Sequence, residues 1–265
     1  MIKVIGIPYD GNSSFMKGAA QAPRLIRSME ACGSANTFAE SGQDIASGKE
    51  FEDLGDIPLP GESAAEIFQA IRQTMAGHFA QGHKIVCLGG DHSITYPVID
   101  ALTEHCKGLN ILHLDAHPDL YDHYEDNPYS HASPFARIME KGRVKSLTSA
   151  GIRTFTAHLR EQAAKFGVLS IEMKDFHPGF VKSLEGPLYL SLDLDVLDPA
   201  FAPGVSHHEP GGLATRELIG IIQALEVPLV GADIVELNPS RDVNHVTAMT
   251  AYKLFKEIAA KMLPC

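Results

Sequence analysis

Apolar residues along this chain fall in short, nearly unbroken runs, separated by longer stretches in which they recur every third or fourth position. The runs at 2–7, 84–89, 109–114, 147–152, 168–172, 188–194 and 229–235 predict strands. Several, such as Ile85-Val86-Cys87-Leu88, are apolar on both faces, as parallel strands covered from two sides require. The stretches 22–31, 62–80, 94–106, 156–166, 214–225 and 244–262 predict helices. This alternation predicts an α/β fold built on one mainly parallel sheet with helices on both sides. No repeat, low-complexity tract or linker interrupts it, so residues 1–265 read as a single domain. In such folds ligands bind just beyond the carboxyl ends of the strands, so the residues following each run matter most.

Composition narrows the partners. No stretch of roughly 18 apolar residues occurs, so no membrane-spanning helix is expected. Met1 to Pro8 is too short and too soon broken by proline for a signal peptide, and it reads as the first strand. A net charge of −11 without a basic patch argues against nucleic acid and suits a small cationic substrate. Cys32, Cys87, Cys106 and Cys265 are scattered without metal-binding spacing, which predicts free thiols in a reducing compartment, the cytoplasm.

Three strand ends carry chemistry. After 84–89 comes Gly90-Asp91-His92-Ser93; after 109–114, Asp115-Ala116-His117-Pro118-Asp119; after 188–192, Asp193-Leu194-Asp195. Residues two apart in extended chain face the same way, so Asp115, His117 and Asp119 converge, as do Asp193 and Asp195. Carboxylates gathered this closely repel one another unless cations neutralise them. The set exceeds what one catalytic zinc takes. With Asp115 and Asp193 bridging, it suits two metals about 3.5–4 Å apart. An oxygen-rich set with one imidazole per ion and no thiolate favours Mn²⁺. Any one of these motifs has an ordinary explanation as a turn or cap, whereas the three together do not.

These blocks resemble the three signatures of the arginase/agmatinase (ureohydrolase) family. The likeness spans nearly the whole chain and is nearest the plant-type arginase branch. Asn12-Ser13-Ser14-Phe15, Tyr129-Ser130-His131-Ala132-Ser133, Ala202-Pro203-Gly204-Val205-Ser206-His207 and Val230-Gly231-Ala232-Asp233 carry it further. The resemblance implies a three-layer α/β/α domain, two Mn²⁺ per subunit and a homo-oligomer, trimer or hexamer. By position, one metal would take His92, Asp115, Asp119 and Asp193, and the other Asp115, His117, Asp193 and Asp195. His131 would relay protons, Asp119 would carry one to the leaving amine, and Glu236 would pair with the substrate guanidinium. His207 stands where many relatives have threonine, near that guanidinium. The implied reaction is hydrolysis of L-arginine to L-ornithine and urea, with agmatine or another guanidino acid as the alternative. Asn127, Ser130 and His208 are the candidate donors for the substrate tail.

Two rival readings are weaker. Deacetylase relatives of this fold need one zinc, for which His92, Asp119 and Asp195 would be superfluous. An inactive regulatory homologue would be expected to lose ligands, and none is missing here. Among the other histidines, His113 shares the facing of Asp115 but lies within its strand, so it reads as a support or core residue. His78, His83, His105, His158 and His177 read as surface or packing residues, while His123 and His245 are left open by their loop positions.

Overall fold

The structure is a computed structural model that describes residues 1–61 and 63–263. Glu62 and Cys265 lie outside the described residues, so the expected helix start at 62 and the Cys265 thiol are not placed. Eight strands form one sheet: β1 (Ile2–Ile7), β2 (Phe51–Asp56), β3 (Lys84–Gly89), β4 (Asn110–Leu114), β5 (Ser146–Ile152), β6 (Leu169–Glu172), β7 (Leu188–Asp193) and β8 (Leu229–Val235). Their order is β2-β1-β3-β8-β7-β4-β5-β6, and every pairing is parallel. The helices are α1 (Ala22–Ala31), α2 (Ala64–Ala80), α3 (Thr95–His105), α4 (Pro134–Glu140), α5 (Ala157–Phe166), α6 (Thr215–Gln223) and α7 (Val246–Met262).

The predicted alternation becomes two cores. Val86, Leu88, Leu112, Leu190 and Leu192 point to the face covered by α1, α6 and α7. Ile85, Cys87, Ile111 and Tyr189 point to the face covered by α2 to α5. Alternate strand residues therefore serve opposite layers, which is why the strands read as unbroken apolar runs. Ser63 caps α2, and its partner Glu66 reaches back to the Ser63 N–H, closing a capping box. No helix among the described residues is long and apolar enough to cross a membrane.

Two elements escaped the pattern. The β2 segment, Phe51-Glu52-Asp53-Leu54-Gly55-Asp56, is acidic and contains glycine, a poor strand signal. It is an edge strand paired only with β1, and its charges are held by Lys3 on Glu52 and Arg27 on Asp53 and Asp56. Charge on an edge also discourages pairing with another chain. Helix α4 has seven residues with Pro134 in its first turn, too short to show a period.

The sheet order decides where chemistry can occur. β3 and β4 come from the first half of the chain, and β8 and β7 from the second half insert between them. Their carboxyl ends therefore lie side by side.

Candidate active site

The loops leaving β3, β4 and β7 bring the predicted ligands together. His92 Nδ1 lies 3.1 Å from Asp115 Oδ2, 3.1 Å from Asp119 Oδ2 and 3.2 Å from Asp193 Oδ2. His117 Nδ1 lies 3.0 Å from Asp195 Oδ2 and 3.3 Å from Asp115 Oδ1. The two oxygens of Asp115 thus face the two imidazoles, one each. Asp193 Oδ1 accepts the N–H of Asp195 at 2.8 Å. His92, Asp115, Asp119, Asp193 and Asp195 are all buried, while His117 opens toward a cavity.

The orientation of His92 is settled by its far nitrogen. Ser191 donates its only hydroxyl proton to Asp233 Oδ1 (2.7 Å), so toward His92 Nε2 (2.9 Å) its oxygen accepts. Asp233 is held in turn by the hydroxyls of Thr95 and Tyr189, at 2.9 and 2.8 Å. That bond keeps a proton on Nε2, so Nδ1, which faces the carboxylates, is the nitrogen that a metal would take. That Nδ1 is buried and makes no hydrogen bond, despite the three nearby oxygens.

These features fit a divalent cation. Bonds of about 2.2 Å meeting at right angles put neighbouring ligand atoms about 3.1 Å apart. Burial, together with Asp195 and Asp115, pushes the Asp193 carboxyl well above the usual carboxylate range. Burial and Asp115 likewise raise Asp119. Carboxylates crowded in this way are what a bound cation would neutralise, and the two groups His92–His113–Asp115–Asp119 and Asp115–His117–Asp195 could each hold a metal ion. His113 donates from Nε2 to Asp115 Oδ2 at 2.7 Å, and its Nδ1 meets Ser149 Oγ at 3.1 Å.

Beyond β8, Glu236 takes a left-handed backbone conformation (φ 66°), as Asp119 does beyond β4 (φ 50°). Such conformations are uncommon outside glycine and gather at functional sites. Glu236 Oε1 accepts the His92 N–H at 2.9 Å and the His131 Nδ1 proton at 2.8 Å. Burial would raise its carboxyl, but His131 beside it holds it below the usual range. Burial alone would lower His131, yet Glu236 carries it up to about 9. The ring of His207 sits 5.4 Å from that of His131 and 5.6 Å from that of His117. Burial, then His131, lowers its basicity.

His117, Asp119, His131, Asp193, Asp195, His207 and Glu236 all line one cavity of about 230 Å³. That suits a small ligand, since drug-sized sites run to about 300–1,000 Å³.

A model of the family described as "Arginase family" matches residues 1–260. The chain belongs to the arginase family. It is 44% identical to the "Arginase 1, mitochondrial" of Arabidopsis thaliana, over 98% of this chain and 80% of that protein. The solved "Arginase from Medicago truncatula" superposes with a TM-score of 0.94 at 41% identity, covering 98% of this chain and 86% of that one. The "N(1)-aminopropylagmatine ureohydrolase" of Thermus thermophilus is 32% identical over 99% of this chain and 90% of its own length.

Within this arginase-family site, the three residues expected at the substrate tail are placed around the cavity by bonds to neighbouring loops. Asn127 donates to Asn12 Oδ1 (3.2 Å) and accepts the Tyr129 N–H (2.9 Å), so its side chain braces two loops. Ser130 is buried and accepts the Ala132 N–H at 3.3 Å. His208 is exposed, with Nε2 donating to Pro203 O (2.7 Å) and Nδ1 accepting from Arg241 (2.9 Å). None of the three is among the residues lining the cavity, which include Tyr121, Tyr124, Thr154, Thr156 and Leu159. His123 and His245 are exposed and also lie outside the lining.

The sequence reading also missed supporting residues. Arg153 reaches from β5 to the carbonyls of Asp195 (2.6 Å), Leu197 (3.3 Å) and Glu209 (2.9 Å), clamping the loop that carries Asp195. Gly90 is required by close approach, since a Cβ there would meet the Tyr9 carbonyl oxygen at 1.9 Å. An arginine or glycine of this kind announces no chemistry in one dimension.

Proposed function

We propose that this chain hydrolyses L-arginine to L-ornithine and urea. The metal ions are proposed to be a Mn²⁺ pair held by His92, Asp115, His117, Asp119, Asp193 and Asp195. The observation that carries the reading is that an ionised, buried Glu236 and the histidine–aspartate cluster line the same small cavity. A carboxylate beside a cation-binding cluster suits a substrate whose reacting carbon is itself cationic. The oxygen-rich donor set supports Mn²⁺ over a softer ion.

A bound metal pair would supply a hydroxide nucleophile near neutral pH and polarise the reacting centre. Glu236 pairs with the guanidinium and sets its carbon over the cluster. Its own position is held by the His92 N–H and by His131. Asp119 carries a proton to the departing amine, and His131 exchanges protons with solvent. His207 forms the wall beside His117 and His131.

No lysine or arginine is among the lining residues, so the α-carboxylate of arginine would meet neutral donors. Thr156 is one: its Oγ1 accepts the Leu159 N–H at 3.3 Å, which leaves the hydroxyl proton to donate. The absence of a fixed cation in the lining also favours a second reading, agmatine, which lacks that carboxylate. A charge-assisted hydrogen bond to the carboxylate contributes about 1.5–3 kcal/mol, or roughly one to two decades of specificity. Comparison of kcat/KM for the two substrates with saturating Mn²⁺ is expected to favour arginine. A ratio favouring agmatine would change the substrate and leave the hydrolytic reading intact.

Ser191→Ala is expected to free the His92 ring and weaken the binding of one ion about 10- to 100-fold. Titration calorimetry of the metal-free variant tests this, and two unchanged metal affinities would remove Ser191 from the account. As further parts of the proposal, residues 1–265 act as one domain, and the chain assembles as a trimer or hexamer on the strength of family membership. It works in the cytoplasm, a compartment supported by the unpaired thiols of Cys32, Cys87 and Cys106.

A further inference from the structure

The segment Asn12-Ser13-Ser14-Phe15 has no role in the chemistry described so far, yet it is pinned against it. The Asn12 N–H donates to Asp91 Oδ2 at 3.0 Å, its side-chain amide donates to Ser93 Oγ at 3.2 Å, and its carbonyl accepts the His131 N–H at 3.2 Å. This fixes Ser14 on the cavity wall beside the His131 ring.

Ser14 then meets a single nitrogen of that ring twice. Its backbone N–H donates to His131 Nε2 at 3.2 Å, and its Oγ lies 2.8 Å from the same atom. The other ring nitrogen, Nδ1, is committed to Glu236. A backbone N–H can only donate, so this bond favours a bare Nε2 and a neutral ring. Once Nε2 is protonated the N–H can no longer serve, and only an acceptor can satisfy the new N–H. A hydroxyl is both donor and acceptor. It can donate to the bare Nε2 and, after rotating about its C–O bond, accept from the protonated one. A serine that merely closed the loop would need one bond and would be indifferent to the protonation of its neighbour.

We propose that Ser14 is a positioning residue for proton transfer, its hydroxyl reversing between donor and acceptor at His131 Nε2 as the ring gains and loses a proton. This rests on the reading of His131 as the proton carrier of the proposed hydrolysis. The cycle balances. A solvent proton arrives at Nε2 and the ring becomes cationic, with Ser14 Oγ accepting. Release of that proton into the site, where Asp119 serves the leaving amine, returns a neutral ring, and the hydroxyl turns back to donate. Throughout, the bond from Nδ1 to Glu236 stays in place, so the ring need not flip. The other charged or titratable groups facing His131 are Glu236 beyond β8, Asp91 beyond β3, Asp119 beyond β4 and His207 beyond β7. Ser14 is the neutral partner among them.

The test uses Ser14→Ala, Ser14→Thr and His131→Asn in the full chain with manganese. The alanine variant keeps the backbone N–H and loses only the hydroxyl. Its kcat is expected to fall about 10- to 100-fold with KM within about twofold and metal content unchanged. The alkaline limb of its pH profile should move down by about one unit, because the protonated ring has lost its acceptor. The His131 ring titration followed by NMR in the metal-free protein should move the same way, a readout independent of turnover. The threonine variant should restore kcat and the limb. An unmoved titration and limb in Ser14→Ala would overturn the proposal, as would a Ser14→Thr variant that behaves like alanine. Full turnover in His131→Asn would instead remove the proton-carrier reading itself. An impaired His131→Asn beside an unimpaired Ser14→Ala would remove only the role of Ser14.

Discussion

Asp115→Ala is expected to empty both halves of the metal cluster, whereas loss of a terminal ligand should weaken one half. The reason lies in how the carboxylate is shared. Asp115 Oδ2 faces His92 Nδ1 and Oδ1 faces His117 Nδ1, and Asp115 is the residue common to both groups able to hold an ion. Removing it takes one ligand oxygen from each half and the single negative charge that the two halves share. It also leaves His113 Nε2 without the carboxylate it donates to at 2.7 Å, in a fully buried position. An unsatisfied buried donor costs about 1–3 kcal/mol by itself, so some loss of stability accompanies the loss of metal. Activity should fall by at least about three orders of magnitude, since the nucleophile and the polarising charge go together. Asp193→Ala should resemble it, and His92→Ala should retain the ion at His117. Elemental analysis of the purified variants decides this: two ions per subunit in Asp115→Ala would overturn the shared-ligand assignment.

Glu236→Gln should have nearly as large an effect on catalysis while leaving metal content normal. The substitution keeps shape and removes the charge proposed to meet the guanidinium. The local bonds can survive the change: a single oxygen, Oε1, accepts from both the His92 N–H and His131 Nδ1, and an amide oxygen can do the same, though without the charge that strengthens them. Breaking one side of a buried charge pair costs about 2–5 kcal/mol, or roughly 30- to several-thousand-fold in kcat/KM. The His131 imidazolium loses the carboxylate that raises it to about 9, so its titration should move back toward 6.5 in the variant. Below about 6.5 the ring is charged in both proteins, between about 6.5 and about 9 it is charged only in the parent, and above about 9 it is neutral in both. Steady-state kinetics with metal analysis tests the assignment, and near-normal turnover would exclude Glu236 from substrate binding.

Much of this site could be read in one dimension because its parts are local. Asp115-Ala116-His117-Pro118-Asp119 and Asp193-Leu194-Asp195 each place their ligands two residues apart at the end of an apolar run. Extended-chain facing predicted that such a group converges, and it does, but by local turns: Asp119 takes a left-handed conformation and Asp195 lies in a 3-10 turn capped by Asp193. Glu236 was legible through its resemblance to the family motif, with which its place at the end of the apolar run of β8 agrees. The runs themselves announced parallel strands, because burial on both faces leaves no polar alternation. Where local signal was weak, the reading failed. Acidic β2 is a strand only because β1 lies beside it with Lys3 and Arg27 at hand, and α4 is too short to show its period.

Sequence by itself determined the strand–helix alternation and the identity of the histidine–aspartate cluster. It could not determine which strands are neighbours. That β8 and β7 insert between β3 and β4 is decided by non-local packing of two helical layers, and periodicity carries no information about lateral order. Everything that depends on this order came only from the tertiary structure. Ser191 on β7 and Asp233 on β8 fix the proton of His92, which follows β3. Ser14, beyond β1, meets His131 across more than 100 residues of chain. Asn127, Ser130 and His208 were plausible rim donors by proximity in sequence, but their polar atoms are satisfied by neighbouring loops. A hydrogen-bonding side chain goes to whichever partner the fold brings within about 3 Å, and proximity along the chain does not identify that partner.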